Sequence, residues 1–300
     1  MTQQCEIAWF SALCDDDYEF LGIPDPYLQS SWEHCRNIVL RAEEGGFDNI
    51  LLPSGYQLGV DTTIFAAAVA TQVKRIKLLW ATRMGEDWPP QLARRIATLD
   101  RILGPNAAGT GGRLNVNIIS SDMPGETIES GPRYRRGTEI MTIVRTLLNG
   151  EHLDFDGEFY KLKLDPPRIT TLSGKCPPFY FGGLSHEARE CAAEAADVYL
   201  MWPDTLARVR ETIADMKARA AKHGRTLRFG YRVHVIVRET EDEARLYADR
   251  LLSKLDDEAG RAIREKSLDA KNYGVQRQQE LRGAANGDGF VEENLWTGIG

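Results

Sequence analysis

The sequence predicts an α/β chain folded as a TIM (β/α)8 barrel that lacks its last strand and helix. Three observations carry that expectation. Short β-branched and aromatic runs alternate with helical stretches from residue 6 to residue 257, and repeated βα units of this spacing imply a parallel sheet. Seven strands joined by crossover helices favour a barrel over an open doubly wound sheet, and no glycine-rich fingerprint follows the first strand. After residue 257 the chain turns polar and no eighth strand is visible.

Taken in order, residues 6–13 are the first strand, and a helix follows from about Leu28 to Glu44, where Gly45-Gly46 ends it in the usual C-terminal way. Asp48–Leu52 is a short strand, 62–73 an alanine-rich helix, Ile76–Thr82 a strand, and Pro90–Leu103 a helix stopped by Gly104-Pro105. Arg113–Ile119 and 133–149 are the fourth strand and helix. Residues 151–177 break the rhythm, and Phe155, Phe159 and Tyr160 around Asp156-Gly157 predict an inserted hairpin. The alternation resumes with strand Pro178–Phe181, helix Ser185–Ala195, strand Val198–Met201, helix 204–222, strand 228–237 and helix 240–257. One barrel domain is expected over 1–257, with 258–300 a polar C-terminal segment of the same domain and the part least able to order by itself. A barrel short of one strand has two unpaired parallel edges. The chain is therefore expected to be a C-terminally truncated form of a longer protein.

Composition narrows the function classes. The net charge of -7 argues against a general nucleic-acid binder, which carries a basic excess. No apolar run approaches the roughly 20 residues of a membrane span. The start, MTQQCEIAWFSALCDDD, has no basic stretch followed by a long apolar one, so it does not read as a signal peptide. Cys5, Cys14, Cys35, Cys176 and Cys191 are scattered and odd in number, which fits free thiols in the cytoplasm rather than a disulfide framework or a zinc knuckle.

One segment stands out. Gly230–Thr240 reads as a buried strand, yet Arg232 and His234 fall on one face and Val233, Val235 and Val237 on the other. A guanidinium and an imidazole placed inside need partners, and a bound anion or polar cofactor is one; a satisfied core histidine and an arginine–carboxylate pair are the plain alternatives. In a barrel, function gathers at the C-terminal ends of strands. Here those ends read Leu52-Pro53-Ser54, Ala81-Thr82-Arg83 and Asn117 through Asp122. Each polar residue alone serves equally well as a helix cap. Phe181-Gly182-Gly183-Leu184-Ser185 is a strand, a glycine turn and a helix start, a seat suited to phosphate and equally an ordinary N-cap. Tyr134, within the basic run Arg133–Arg136, can donate to the same anion. Trp202 follows a strand, where its ring either walls a pocket or fills core. His34, His152 and His223 are expected at the surface, and no HxH pair lies on a strand, which counts against a metal-dependent hydrolase.

At these residues the chain resembles the bacterial luciferase-like flavin-dependent monooxygenases, and within them the FMNH2-dependent alkanesulfonate branch. The resemblance runs through Trp9-Phe10, Ala97–Arg101, Arg113–Asp122, Arg133-Tyr134, Pro178–Gly183, Asp197–Trp202, Gly230–Thr240, Leu255–Glu258 and Asn294–Gly300, in order along nearly the whole chain. It implies a barrel whose lumen holds FMN in its reduced form and uses O2. A peroxyflavin then attacks an organosulfur substrate, and an alkanesulfonate yields an aldehyde and sulfite. It implies Trp202, Arg232 and His234 as the active-site residues. Asn117 would meet the flavin ring or ribityl chain, and Tyr134 and Ser185 its phosphate; Ser54 and Thr82, at two of the polar strand ends, are the remaining cofactor-site candidates. It also implies an NAD(P)H-dependent flavin reductase as partner, a cytoplasmic location and a homo-oligomer.

Two departures bear on substrate. The sulfonate enzymes place a histidine at the end of the first strand, where this chain has Cys14 followed by three aspartates. They place a cysteine after the second, where it reads Tyr56-Gln57-Leu58-Gly59. A deazaflavin-dependent oxidoreductase on the same barrel and a non-catalytic flavin binder are the alternatives. The resemblance also implies a chain continuing past Gly300, so the 300-residue form is expected to release little sulfite.

Overall fold

The computed structural model describes residues 5–15, 17–56, 59–120, 123–255, 273–286, 289–293 and 295–298. Eleven strands and eight helices occur among them. The helices start where the sequence supplies a cap. Ser31 Oγ accepts from His34 N at 3.1 Å at the head of α1 (Trp32–Glu44), and Asp61 Oδ1 accepts from Ile64 N at 2.7 Å at the head of α2 (Thr62–Ala70). α3 (Pro89–Leu103) opens on a proline and stops at Gly104, whose φ of 88° is the left-handed conformation glycine tolerates. α4 (Ser130–Leu148) begins three residues before its expected start, so Arg133 and Tyr134 lie inside its first turns. α5 (His186–Ala195), α6 (Leu206–Lys222) and α7 (Glu241–Leu252) are capped by Ser185, Thr205 and Thr240, the last in a full capping box with Glu243.

Seven strands form one parallel sheet: β1 (Ala8–Phe10), β2 (Asn49–Leu52), β3 (Lys77–Arg83), β4 (Leu114–Ile119), β7 (Phe179–Gly182), β8 (Val198–Met201) and β9 (Arg228–Tyr231), adjacent in that order. The sheet curls with α1–α7 outside. β5 (Leu153–Asp156) and β6 (Lys161–Leu164) pair antiparallel as the predicted hairpin, outside the barrel sheet.

Alternation along each strand sorts the side chains into two cores. Ile50 and Leu52, Leu78 and Trp80, Val116 and Ile118, Phe179 and Phe181, and Tyr199 and Met201 pack outward in the main core beneath the helices. Leu51, Leu79, Tyr180 and Val198 face the other way and form a second cluster with Phe10 and Leu200. That second cluster is the lumen.

The structure departs from expectation at the far edge of the sheet. The segment after Gly230 is not a buried strand. β9 ends at Tyr231, Arg232 N donates to Met201 O at 2.9 Å, and Val233, Val235 and Val237 are 40%, 61% and 74% exposed. Among the described residues no strand pairs with the far edge of β9, so nothing covers the valine face and the ladder stops. The C-terminal segment, in contrast, contains packed structure. α8 (Tyr273–Ala284) buries Leu281 to 2% exposure, and a small antiparallel hairpin of β10 (Phe290–Glu292) and β11 (Leu295–Trp296) follows it. The domain boundary expected near 258, the run Ser121-Asp122 and most of Leu255–Glu258 lie outside the described residues.

Candidate active site

Each strand's parity decides which side chains can meet in the lumen. On β8 the lumen-facing set is Val198 and Leu200, and the next in phase is Trp202. On β9 it is Arg228 and Gly230, paired with Val198 and Leu200, and the next in phase are Arg232 and His234. On β4 Asn117 opposes the outward Val116 and Ile118, and it sits in register between Ala81 and Tyr180.

The contacts follow that parity. The Arg232 guanidinium lies 4.5 Å from the centre of the Phe10 ring on β1 and 5.9 Å from that of Trp202. A cation close to two aromatic rings is stabilised by their quadrupoles. The contact also brings the last strand's end to the first strand's end, which register pairing along the sheet does not do. Phe10 was legible in the resemblance but not as a site residue; strand parity alone could have placed it in the lumen.

Arg232 and His234 are both exposed at the mouth instead of buried. Water reaches the His234 ring, yet surrounding protein desolvates it enough to lower its pKa below 6.5, and the Arg232 charge pushes in the same direction. His234 is therefore largely neutral near pH 7 and able to accept a proton.

On the other side of the mouth Tyr134 and Ser185 are neighbours. Burial raises the Tyr134 pKa, opposed by the Arg133 charge and the Ser185 hydroxyl, so its own hydroxyl remains a donor. Tyr134 stacks edge-on against Phe181 at 6.2 Å, with the Arg133 guanidinium 5.5 Å from its ring centre. Ser185 Oγ also accepts from Ala188 N at 3.1 Å. The Gly182-Gly183 turn before it is tight: a Cβ at Gly183 would lie 2.6 Å from that of Ala188. A side-chain-free turn leading into a helix N-terminus, beside a protonated phenol and a hydroxyl, fits a flavin phosphate.

Thr82 is differently placed. It is 4% exposed and shares the outward phase of Leu78 and Trp80, so the lumen side of that strand end belongs to Ala81 and Arg83. Arg83 is 5% exposed, with Nε 3.4 Å from Glu86 Oε1. Ser54 is half-buried in the loop after β2. His34 is not a surface residue: its ring is half-buried, with Nε2 2.8 Å from Asp17 Oδ2. His152 is exposed, as expected, beside Asp165 at 2.7 Å. In the loop that departs from the sulfonate pattern, Asp15 adopts a φ of 52°, and its carboxylate accepts from Ser30 N at 2.5 Å.

The luciferase-like monooxygenase family profile matches residues 21–298. A sulfoquinovose monooxygenase of Novosphingobium aromaticivorans is 91% identical over 298 residues, covering 99% of this chain and 82% of that protein. One of Agrobacterium fabrum is 50% identical, covering 98% and 75%. Among solved structures, a long-chain alkane monooxygenase superposes with a TM-score of 0.75 at 18% identity, over 99% of this chain and 77% of its own. The EDTA monooxygenase of Chelativorans sp. BNC1 gives 0.70 at 17% identity, over 95% and 74%. These structures share the fold.

Proposed function

The chain belongs to the luciferase-like monooxygenase family, and from that premise we propose that it is a reduced-flavin-dependent monooxygenase that desulfonates the sugar sulfonate sulfoquinovose. The observation that carries the substrate is the 91% identity to a sulfoquinovose monooxygenase over 99% of the chain. In this reading the carbon bearing the sulfonate becomes an aldehyde. One oxygen atom of O2 goes to that carbon and the other leaves as water, sulfite departs, and reduced FMN supplies the two electrons. A separate NAD(P)H-dependent reductase provides FMNH2, and the enzyme is a homo-oligomer.

When bound, the reduced flavin supplies the activation of O2. The chain's own residues do the rest. Arg232 pairs with the substrate sulfonate and with the negative charge that grows as sulfite leaves. Neutral His234, two residues on and in the same phase, accepts the proton lost from the carbon. Trp202 and Phe10 fix the guanidinium and keep water from the reacting atoms. Asn117 contacts the flavin from the lumen wall, and Tyr134 and Ser185 hold its phosphate. Ser54 lines the cofactor's edge. The loop around Asp15, which replaces the sulfonate branch's histidine, offers carboxylates to the hydroxyls of a sugar where a simple alkyl chain has none.

The test is sulfite release by the full-length protein from sulfoquinovose and from simple alkanesulfonates, with a flavin reductase, FMN and NAD(P)H supplied. Sulfoquinovose is expected to be the preferred substrate, and Arg232→Ala to lose about 100-fold or more in kcat/KM. Absence of sulfite from every sulfonate, or full turnover by Arg232→Ala, would sink the assignment. Reconstitution with a deazaflavin in place of FMN is expected to give none.

A further inference from the structure

We propose that Tyr199 is a positioning residue for the cofactor's phosphate: its hydroxyl locks the Gly182–Leu184 turn so that the Leu184 amide faces the anion. The proposal rests on the phosphate seat assigned above to Tyr134 and Ser185.

Tyr199 lies on the outward face of β8 and is 0% exposed, in the main core beneath the helices. Its Oη donates to the Gly183 carbonyl at 2.5 Å, across 16 residues of sequence. Among the described residues there is no cis peptide bond, and in a planar trans peptide the C=O and N–H point in opposite directions. Holding the Gly183 carbonyl toward Tyr199 therefore turns the Leu184 N–H away from the core. That side is where Ser185 and the first amides of α5 stand ready for an anion.

The turn needs an outside hold. Gly183 cannot carry a side chain that would anchor it, because its Cβ would meet Ala188 at 2.6 Å. A phenylalanine at 199 would fill the same volume, so the hydroxyl serves a purpose other than packing. Burial pushes the Tyr199 pKa up to about 12 against the pull of the nearby Arg189 charge, so the proton stays on Oη. Arg189 is anchored through Nη1 to Asp215 on α6 at 2.8 Å, and Asp215 also takes Arg219 Nε at 2.9 and 3.0 Å. The proton kept on Oη is the one given to the Gly183 carbonyl. An ionic network on two outer helices thus places a charge near the phenol that holds one peptide plane at the barrel mouth.

Reduced FMN and reduced riboflavin differ only by the phosphate, so the ratio of their affinities isolates its contribution. Both are titrated anaerobically against the wild type, Tyr199→Phe, Arg189→Gln, Ser185→Ala and Tyr134→Phe. The wild type is expected to prefer FMN. Tyr199→Phe is expected to lower the FMN-to-riboflavin affinity ratio about five- to tenfold with riboflavin affinity unchanged, the scale of one misdirected hydrogen bond. Arg189→Gln, which leaves the ring in place and removes the charge near the hydroxyl, is expected to lower the ratio less, and it carries the test alone if Tyr199→Phe does not fold. Equal weakening of both ligands by these variants would assign Tyr199 to packing and overturn the proposal. An unchanged ratio in Tyr199→Phe, beside a lowered one in Ser185→Ala or Tyr134→Phe, overturns it too but leaves the phosphate seat standing. A wild type without preference for FMN removes both.

Discussion

Arg232 and His234 lie two residues apart, and the charge of the first acts on the protonation of the second. The guanidinium rests 4.5 Å from the Phe10 ring, and its charge, added to desolvation, lowers the His234 pKa below 6.5. The folded protein therefore disfavours imidazolium. The contribution of this group to stability is complete above pH 6.5 and falls away as the pH drops through its lowered value. Following the His234 ring protons by NMR should give a midpoint below 6.5 in the wild type, and a higher one in Arg232→Gln because one of the two causes is gone. A midpoint unmoved by that substitution would show that the neighbouring charge does not act on the ring. That these two side chains share a phase was legible from the residues alone, since strand alternation requires it. Their exposure was not, because it depends on what stands beside the strand.

The elements were nearly all legible, since caps, glycine stops and apolar runs are local features. The error at β9 has a local cause too: Val233, Val235 and Val237 have the composition of a strand, but a strand also needs a neighbour. The loops after β1 and β2 show a constraint that composition cannot express. A Cβ at Gly59 would lie 1.6 Å from the Leu13 carbonyl oxygen, and Gly59 has a φ of 84°. Both the left-handed backbone and the contact demand glycine, which makes the two loops one unit beside the lumen mouth. Gly59→Ala is expected to cost about 2 kcal/mol or more, read as a lowered denaturant midpoint, with reduced sulfite release because the Cys14-Asp15 loop is displaced. Wild-type stability in this variant would mean the loops do not press together in solution.

Across the whole molecule, α8 is the least expected packing. Arg277 is bidentate to Asp204, at 2.9 and 2.7 Å, and Gln278 Nε2 donates to Pro203 O at 3.0 Å. These bonds fasten a polar helix from the C-terminal segment to the turn that follows Trp202. Glu292, in the hairpin beyond it, accepts from Leu206 N at 3.0 Å. Arg277→Gln is expected to speed amide exchange across 273–284 while exchange in β2, β3 and β4 stays as it was; equal protection in both proteins would show that the ion pair does not hold the helix. By itself the sequence determined the order of strands and helices, the inserted hairpin and the family, because these follow from periodicity, caps and motif, and through the resemblance it proposed Tyr134, Ser185, Trp202, Arg232 and His234 as site residues. Only the tertiary structure decided that Phe10 backs Arg232, that Thr82 faces the helices, that Tyr199 holds Gly183, and that α8 clamps the turn after Trp202. Those relations join residues far apart in the chain, and they are fixed by how the curled sheet brings strand ends and helices together in space, which no local pattern of residues encodes.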